Sequence, residues 1–177
     1  IRVADVDYNK GQIIKQMDEA AEAGAKIIVF PELCITGYTC SDLFLQDILL
    51  NSAKKALVKI AEHTKNLDAL VFVGVPIAVG GELYNAAAAL NHGNILGFTT
   101  KSFLPNYGEF YEMRQFRPGP KKAEKILFGG KEIPFGPQLL FVENQMANLI
   151  VSAEICEDVW SPVPPSIEAA REGATVI

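Results

Sequence analysis

From Leu70 to Ser152 the apolar residues follow the period of strands, with tight glycine turns between several of them and no internal repeat, and this constrains the fold more than any other feature. Leu70-Val71-Phe72-Val73-Gly74-Val75 reads as a buried strand that continues through Pro76-Ile77-Ala78-Val79. Gly80-Gly81 has the composition of a two-residue hairpin turn, with Glu82–Leu90 returning beside the first strand. His92-Gly93-Asn94 makes a second turn into Ile95–Thr100, and Gly129-Gly130 makes a third before Glu132–Phe135. Strands over Gln138–Val142 and Ala147–Ser152 follow. Ahead of this region the period is helical: Ile13, Ile14, Met17, Ala20 and Ala21 share a face of a helix expected from about Gly11 to Ala23, capped by Asn9 and stopped by Gly24. A strand over Lys26–Phe30 and a second helix from Ser41 to about Lys65 come next. A helix over 163–172 and a strand stub at 174–177 close the chain. This is an α/β order, but it does not alternate as a doubly wound sheet would. It predicts a mixed sheet or a pair of sheets, with helices on the outer faces. Residues 101–125 remain as a long loop rich in aromatics, proline and charge, a length that usually carries function.

A chain of 177 residues is about one domain, and 49% hydrophobic with 21% charged residues is ordinary for a globular protein. A formal charge of −5 argues against a nucleic-acid partner, since phosphate binding needs a concentrated basic face. The basic run Lys121, Lys122 and Lys125 is broken by Glu124 and reads as a solvated loop. No apolar segment approaches a membrane span, and nothing resembles a secretory signal. Cys34, Cys40 and Cys156 are odd in number and lack metal-ligand spacing, which points to a reducing, cytoplasmic setting.

Three residues lie just past strand ends: Glu32 after Lys26–Phe30, Lys101 after Asn94–Thr100, and Cys156 after the strand ending at Ser152. A thiol leaving a strand into an acidic turn is placed where a nucleophile would be exposed. Cysteine hydrolases usually activate the thiol with histidine. His63 falls inside the second helix and His92 in a turn, so the base for Cys156 is expected to be a carboxylate. Glu32 is the best placed, with Pro31 stiffening its approach. Lys101 would supply fixed positive charge to a developing oxyanion, joined by the backbone N–H after the cysteine.

Three segments carry a resemblance: Phe30-Pro31-Glu32-Leu33 with Thr36-Gly37-Tyr38; Lys101 through Phe110; and Glu154-Ile155-Cys156-Glu157-Asp158. In this order and at these separations they resemble the nitrilase, or carbon–nitrogen hydrolase, superfamily. Gly37 through Phe44, Tyr107 through Phe116, and Cys156 through Trp160 followed by Pro164-Pro165-Ser166 are similar to one branch, the glutaminase domains of glutamine-dependent NAD⁺ synthetases. The resemblance covers nearly the whole chain. It implies a four-layer α-β-β-α sandwich with mixed sheets and a single glutaminase domain over 1–177, incomplete at both ends. It makes Glu32 the general base, Lys101 the oxyanion stabiliser and Cys156 the nucleophile. It makes Glu109, eight residues after Lys101, the second glutamate that supports the lysine, and it places Tyr107, Phe110 and Glu157 in a glutamine pocket. The implied reaction is hydrolysis of the glutamine side-chain amide through a thioester. Ammonia would pass to a linked synthetase domain, outside these residues, that amidates deamido-NAD⁺ using ATP and Mg²⁺. The glutaminase domain itself implies no cofactor, and a homo-oligomer is expected.

Other readings compete. The chain could be a free-standing hydrolase of another small amide, or a non-catalytic assembly domain that kept the fold. Cys34 and Cys40, which flank Thr36-Gly37-Tyr38, are expected to be structural thiols. Glu154, Glu157 and Asp158 could hold a divalent cation, but positions alternating past a strand diverge.

Overall fold

The computed structural model describes residues 1–146 and 148–177. Its first element is helix α1, Val6–Glu22. Asp5 caps it, accepting the Tyr8 N–H, so the cap lies four residues before the expected Asn9. Asn9 is buried instead, and its amide joins two segments: it accepts the Arg2 N–H at 2.7 Å and donates to the carbonyls of Arg2 and Ile35. A tertiary demand on the amide thus overrides its capping preference.

Strand β1, Ile27–Val29, is followed by a 3₁₀ turn over Ser41–Leu45 and by helix α2, Asp47–His63. The single helix expected from Ser41 is therefore broken, with Gln46 extended between the two pieces. Its first turn is held elsewhere: Phe44 packs edge-on against Phe116 at 4.9 Å, and Arg114 forks onto Asp42 at 2.7 and 2.8 Å.

Strands β2 (Leu70–Val79), β3 (Glu82–Asn91) and β4 (Asn94–Thr100) match the predicted meander. A short helix α3, Glu112–Gln115, and the start of β5, Glu124–Phe128, lie within the segment expected to be loop. Strand β6, Lys131–Gly136, returns from the Gly129-Gly130 turn, and β7, Phe141–Val142, follows. Strand β8 is confined to Ile150–Val151; Ala147, where it was expected to begin, lies outside the described residues. A 3₁₀ turn over Cys156–Trp160 and helix α4, Pro165–Arg171, complete the chain.

The mixed sheet runs β1-β2-β3-β4-β6-β5, with β1∥β2 and β4∥β6 parallel and the other pairs antiparallel. Alternate side chains of β2 point to opposite faces. Val71, Val73, Val75 and Ile77 join Met17, Leu57 and Ile60 of the helices in the main core. Phe72 points the other way, with Ala89, toward the second sheet formed by β7 and β8, and meets Phe141 at 5.5 Å. Two sheets face to face with helices on the outer side of the larger one agree with the expected α/β architecture.

Candidate active site

Strand pairing brings the site together. β1 is parallel to β2, and two antiparallel steps make β4 parallel to β1, so Glu32 and Lys101 leave the same edge of the sheet. Three strand spacings, about 14 Å, separate the parent strands. The turn after β1 closes this distance by crossing β2 at Gly74. There the Gly74 carbonyl accepts the Ile35 N–H at 3.3 Å and the Cys34 thiol at 3.6 Å. A Cβ on Gly74 would lie 2.3 Å from the Leu33 nitrogen and 2.5 Å from the Pro31 oxygen.

Lys101 is fully buried. Its Nζ donates to Glu32 Oε1 at 2.7 Å and to Glu112 Oε1 at 2.6 Å. Burial pulls the ammonium toward neutrality, but the Glu32 and Glu112 carboxylates outweigh it and hold Lys101 above the ordinary lysine value. The lysine is a fixed cation.

Glu112 occupies the supporting position expected of Glu109. It lies eleven residues after Lys101, is buried at the head of α3, and also accepts the Tyr38 hydroxyl at 2.7 Å. Glu109 is exposed. Sequence spacing along a loop cannot foresee this, because the Arg114–Asp42 and Phe116–Phe44 contacts wind residues 112–115 into a helical turn that swings Glu112 inward. The run Glu112-Met113-Arg114-Gln115, rich in helix formers, is the one signal that could have pointed to it.

Cys156 is exposed and adopts φ +47°, a conformation uncommon for a residue with a side chain. Its thiol is pushed up, first by partial desolvation and then by the Glu32 charge, with Lys101 opposing. At neutral pH Cys156 therefore rests as the thiol.

Tyr107, Phe110 and Glu157 meet at the rim: the Tyr107 hydroxyl donates to Glu157 at 2.9 Å, and Phe110 packs edge-on to Tyr107 at 5.8 Å and to Tyr38 at 6.4 Å. Cys34 and Cys40 are buried, and desolvation raises the Cys34 thiol to about 12, which leaves it inert. His63 pairs with Asp18 on the surface, and His92 is exposed in its turn. The three acidic residues around Cys156 diverge: Glu154 accepts the Ser166 N–H, Glu157 the Tyr107 hydroxyl, and Asp158 the N–H groups of Ser102 and Phe103. No group able to hold a metal ion forms among the described residues.

Asp158, read from the sequence only as a possible cation ligand, instead joins the cysteine turn to the chain leaving Lys101. Its Oδ1 accepts Ser102 at 2.9 Å and Phe103 at 2.7 Å. Burial raises its carboxyl from 3.8 to about 6, against those two N–H donors. A raised folded value means that the native state binds the proton more tightly than the unfolded chain. The stabilising effect is full below pH about 4 and is lost as pH rises through about 6, a cost of about 3 kcal/mol at neutrality. Asp158→Asn keeps the oxygen that accepts both N–H groups and removes the charge. Its melting temperature should gain on the parent steadily from pH 4 to pH 7; a difference that is flat with pH would refute this.

The carbon–nitrogen hydrolase family model matches residues 1–177. A glutamine-dependent NAD⁺ synthetase from Mycobacterium leprae is 38% identical over 175 residues, covering 99% of this chain and 26% of that protein. The crystal structure of a glutamine-dependent NAD⁺ synthetase from Cytophaga hutchinsonii superposes with a TM-score of 0.84 at 32% identity, over 98% of this chain and 28% of that one. A mutant amidase from Nesterenkonia sp. AN1, carrying the acetamide moiety of fluoroacetamide at its active-site cysteine, superposes with a TM-score of 0.68 at 25% identity, over 99% and 59%. The chain thus spans about a quarter of the length of the synthetases it matches. Among the described residues no helix is long and apolar enough to cross a membrane.

Proposed function

Since the chain belongs to the carbon-nitrogen hydrolase family, we propose that it hydrolyses the side-chain amide of glutamine and delivers the ammonia to a linked NAD⁺ synthetase domain. The observation that carries this reading is the buried Lys101 ammonium held between Glu32 and Glu112, with the Glu32 charge reaching the Cys156 thiol. The match to synthetases over 99% of this chain supports glutamine as the substrate and a synthetase domain as the partner, with ATP and Mg²⁺ used there.

In the proposed cycle Glu32 takes the thiol proton as Cys156 Sγ bonds to the amide carbon. The raised thiol requires this, because no standing thiolate is available. Lys101 and the backbone N–H of Glu157 stabilise the oxyanion. The C–N bond then breaks, ammonia leaves with the proton held by Glu32, and a thioester remains. Water, giving its proton to Glu32, attacks the thioester carbon and releases glutamate and the free thiol. Glu112 and Tyr38 keep Lys101 in place throughout, and Tyr107, Phe110 and Glu157 form the rim that receives the amino acid.

The test is labelling of the full-length protein by an electrophilic glutamine analogue, read by intact mass and peptide mapping, beside Cys156→Ala and Glu32→Gln. One label per chain at Cys156, lost in the alanine variant and blocked by glutamine, is the expected result. No label, with the thiol still open to a small neutral alkylator, would reject glutamine in favour of another small amide, the reading that the amidase neighbour supports.

A further inference from the structure

Asn85 sits on β3 opposite Pro76 and is buried. Its backbone carbonyl accepts the Lys101 N–H at 2.9 Å, so the two side chains emerge side by side on one face of the sheet. The Asn85 Nδ2 donates to Glu32 Oε1 at 2.6 Å, the same oxygen that accepts Lys101 Nζ at 2.7 Å. A carboxylate can only accept, so the amide must present its NH₂ to Glu32. Oε1 therefore holds two short bonds, one of them from a cation, and both of its lone pairs are engaged. Oε2 is the oxygen left to receive a proton.

We propose that Asn85 is a positioning residue that, together with Lys101, pins Glu32 Oε1 and thereby assigns proton transfer to Oε2. This rests on the reading of Glu32 as the general base. The remaining Asn85 atom supports a dedicated role: its Oδ1 is buried and accepts no hydrogen bond from the described residues. An amide kept for packing or sheet stability would have no reason to leave an acceptor unsatisfied in order to place one donor on a carboxylate. The same fact makes Asn85→Ala structurally mild, because it removes an unpaired acceptor along with the donor.

The experiment measures kcat/KM for glutamine against pH in the full-length protein for the parent, Asn85→Ala, Asn85→Asp and Glu32→Gln, with melting temperatures alongside. The rate of Cys156 alkylation by iodoacetamide is followed over the same pH range, so that the base is read without turnover. Asn85→Ala should lower kcat/KM about 10- to 100-fold, mostly through kcat. Its pH profile should differ from the parent's on the acid limb in both assays, since the carboxylate that receives the proton has lost a donor. Asn85→Asp is isosteric but turns a donor into an anion facing Glu32, so it should be slower than Asn85→Ala at neutral pH. A packing role predicts the reverse order and unmoved limbs, and that result would overturn the proposal. Glu32→Gln separates the two levels: if it reacts like the parent, the base assignment fails; if it is dead while Asn85→Ala matches the parent, the role of Asn85 alone fails.

Discussion

Replacing Lys101 by methionine should cost about 3–5 kcal/mol of stability and slow amide turnover about 10²–10³-fold in one step. The ammonium is the only cation paired with Glu32 and Glu112 among the described residues, and Glu112 is 4% exposed. Methionine matches the length of the side chain but leaves two carboxylates facing one another in the protein interior. Each has a little help: Asn85 donates to Glu32 and Tyr38 to Glu112. Two neutral donors do not replace a cation that neutralises both anions. Turnover would fall about 10²–10³-fold from the lost oxyanion charge alone. Denaturant unfolding at neutral pH measures the first effect. A variant as stable as the parent would show that Lys101, Glu32 and Glu112 are not a buried ion cluster.

The second large effect is expected at a residue with no functional group. Gly74→Ala places a methyl 2.3 Å from the Leu33 nitrogen, 2.5 Å from the Pro31 oxygen and 2.8 Å from the Glu32 carbonyl carbon. All three atoms are backbone, so no side chain can rotate away to relieve the clash. The turn carrying Glu32 must lift off β2, which also strains the bonds from the Ile35 N–H and the Cys34 thiol to the Gly74 carbonyl. Overpacking of this kind costs about 1–3 kcal/mol. A displacement of about 1 Å in the base lowers turnover about 10²-fold. Gly11→Ala is the control: it lies within α1 with nothing within 4 Å of the added methyl, and it should stabilise by about 0.5–1 kcal/mol. Thermal melts and glutaminase assays on both variants decide the matter; full activity in Gly74→Ala would refute the close approach.

These expectations show unevenly in the sequence. The β2–β4 meander was legible because alternation and glycine turns are local signals. Glu32, Lys101 and Cys156 were legible for a related reason: each follows a strand, Glu32 and Lys101 at one edge of the larger sheet and Cys156 past β8 of the smaller one. Glu112 was not, since a four-residue helix in a long loop owes its place to the distant contacts of Arg114 and Phe116. Nor was the broken start of α2, where a good helical pattern yields to Phe44 and Asp42 packing against residues more than seventy positions away.

The sequence by itself determined the β2–β4 meander, the apolar face of α1, and which three side chains, a thiol, a carboxylate and an ammonium, follow strand ends. Those properties depend on residue type and on neighbours a few positions apart. Only the tertiary structure decided which second glutamate supports Lys101, that Asn85 shares the Glu32 oxygen, that Asp158 ties the cysteine turn to the lysine strand, and that Gly74 must lack a side chain. Each of these is a tertiary contact between different elements, fixed by register, packing and burial, which local composition does not encode.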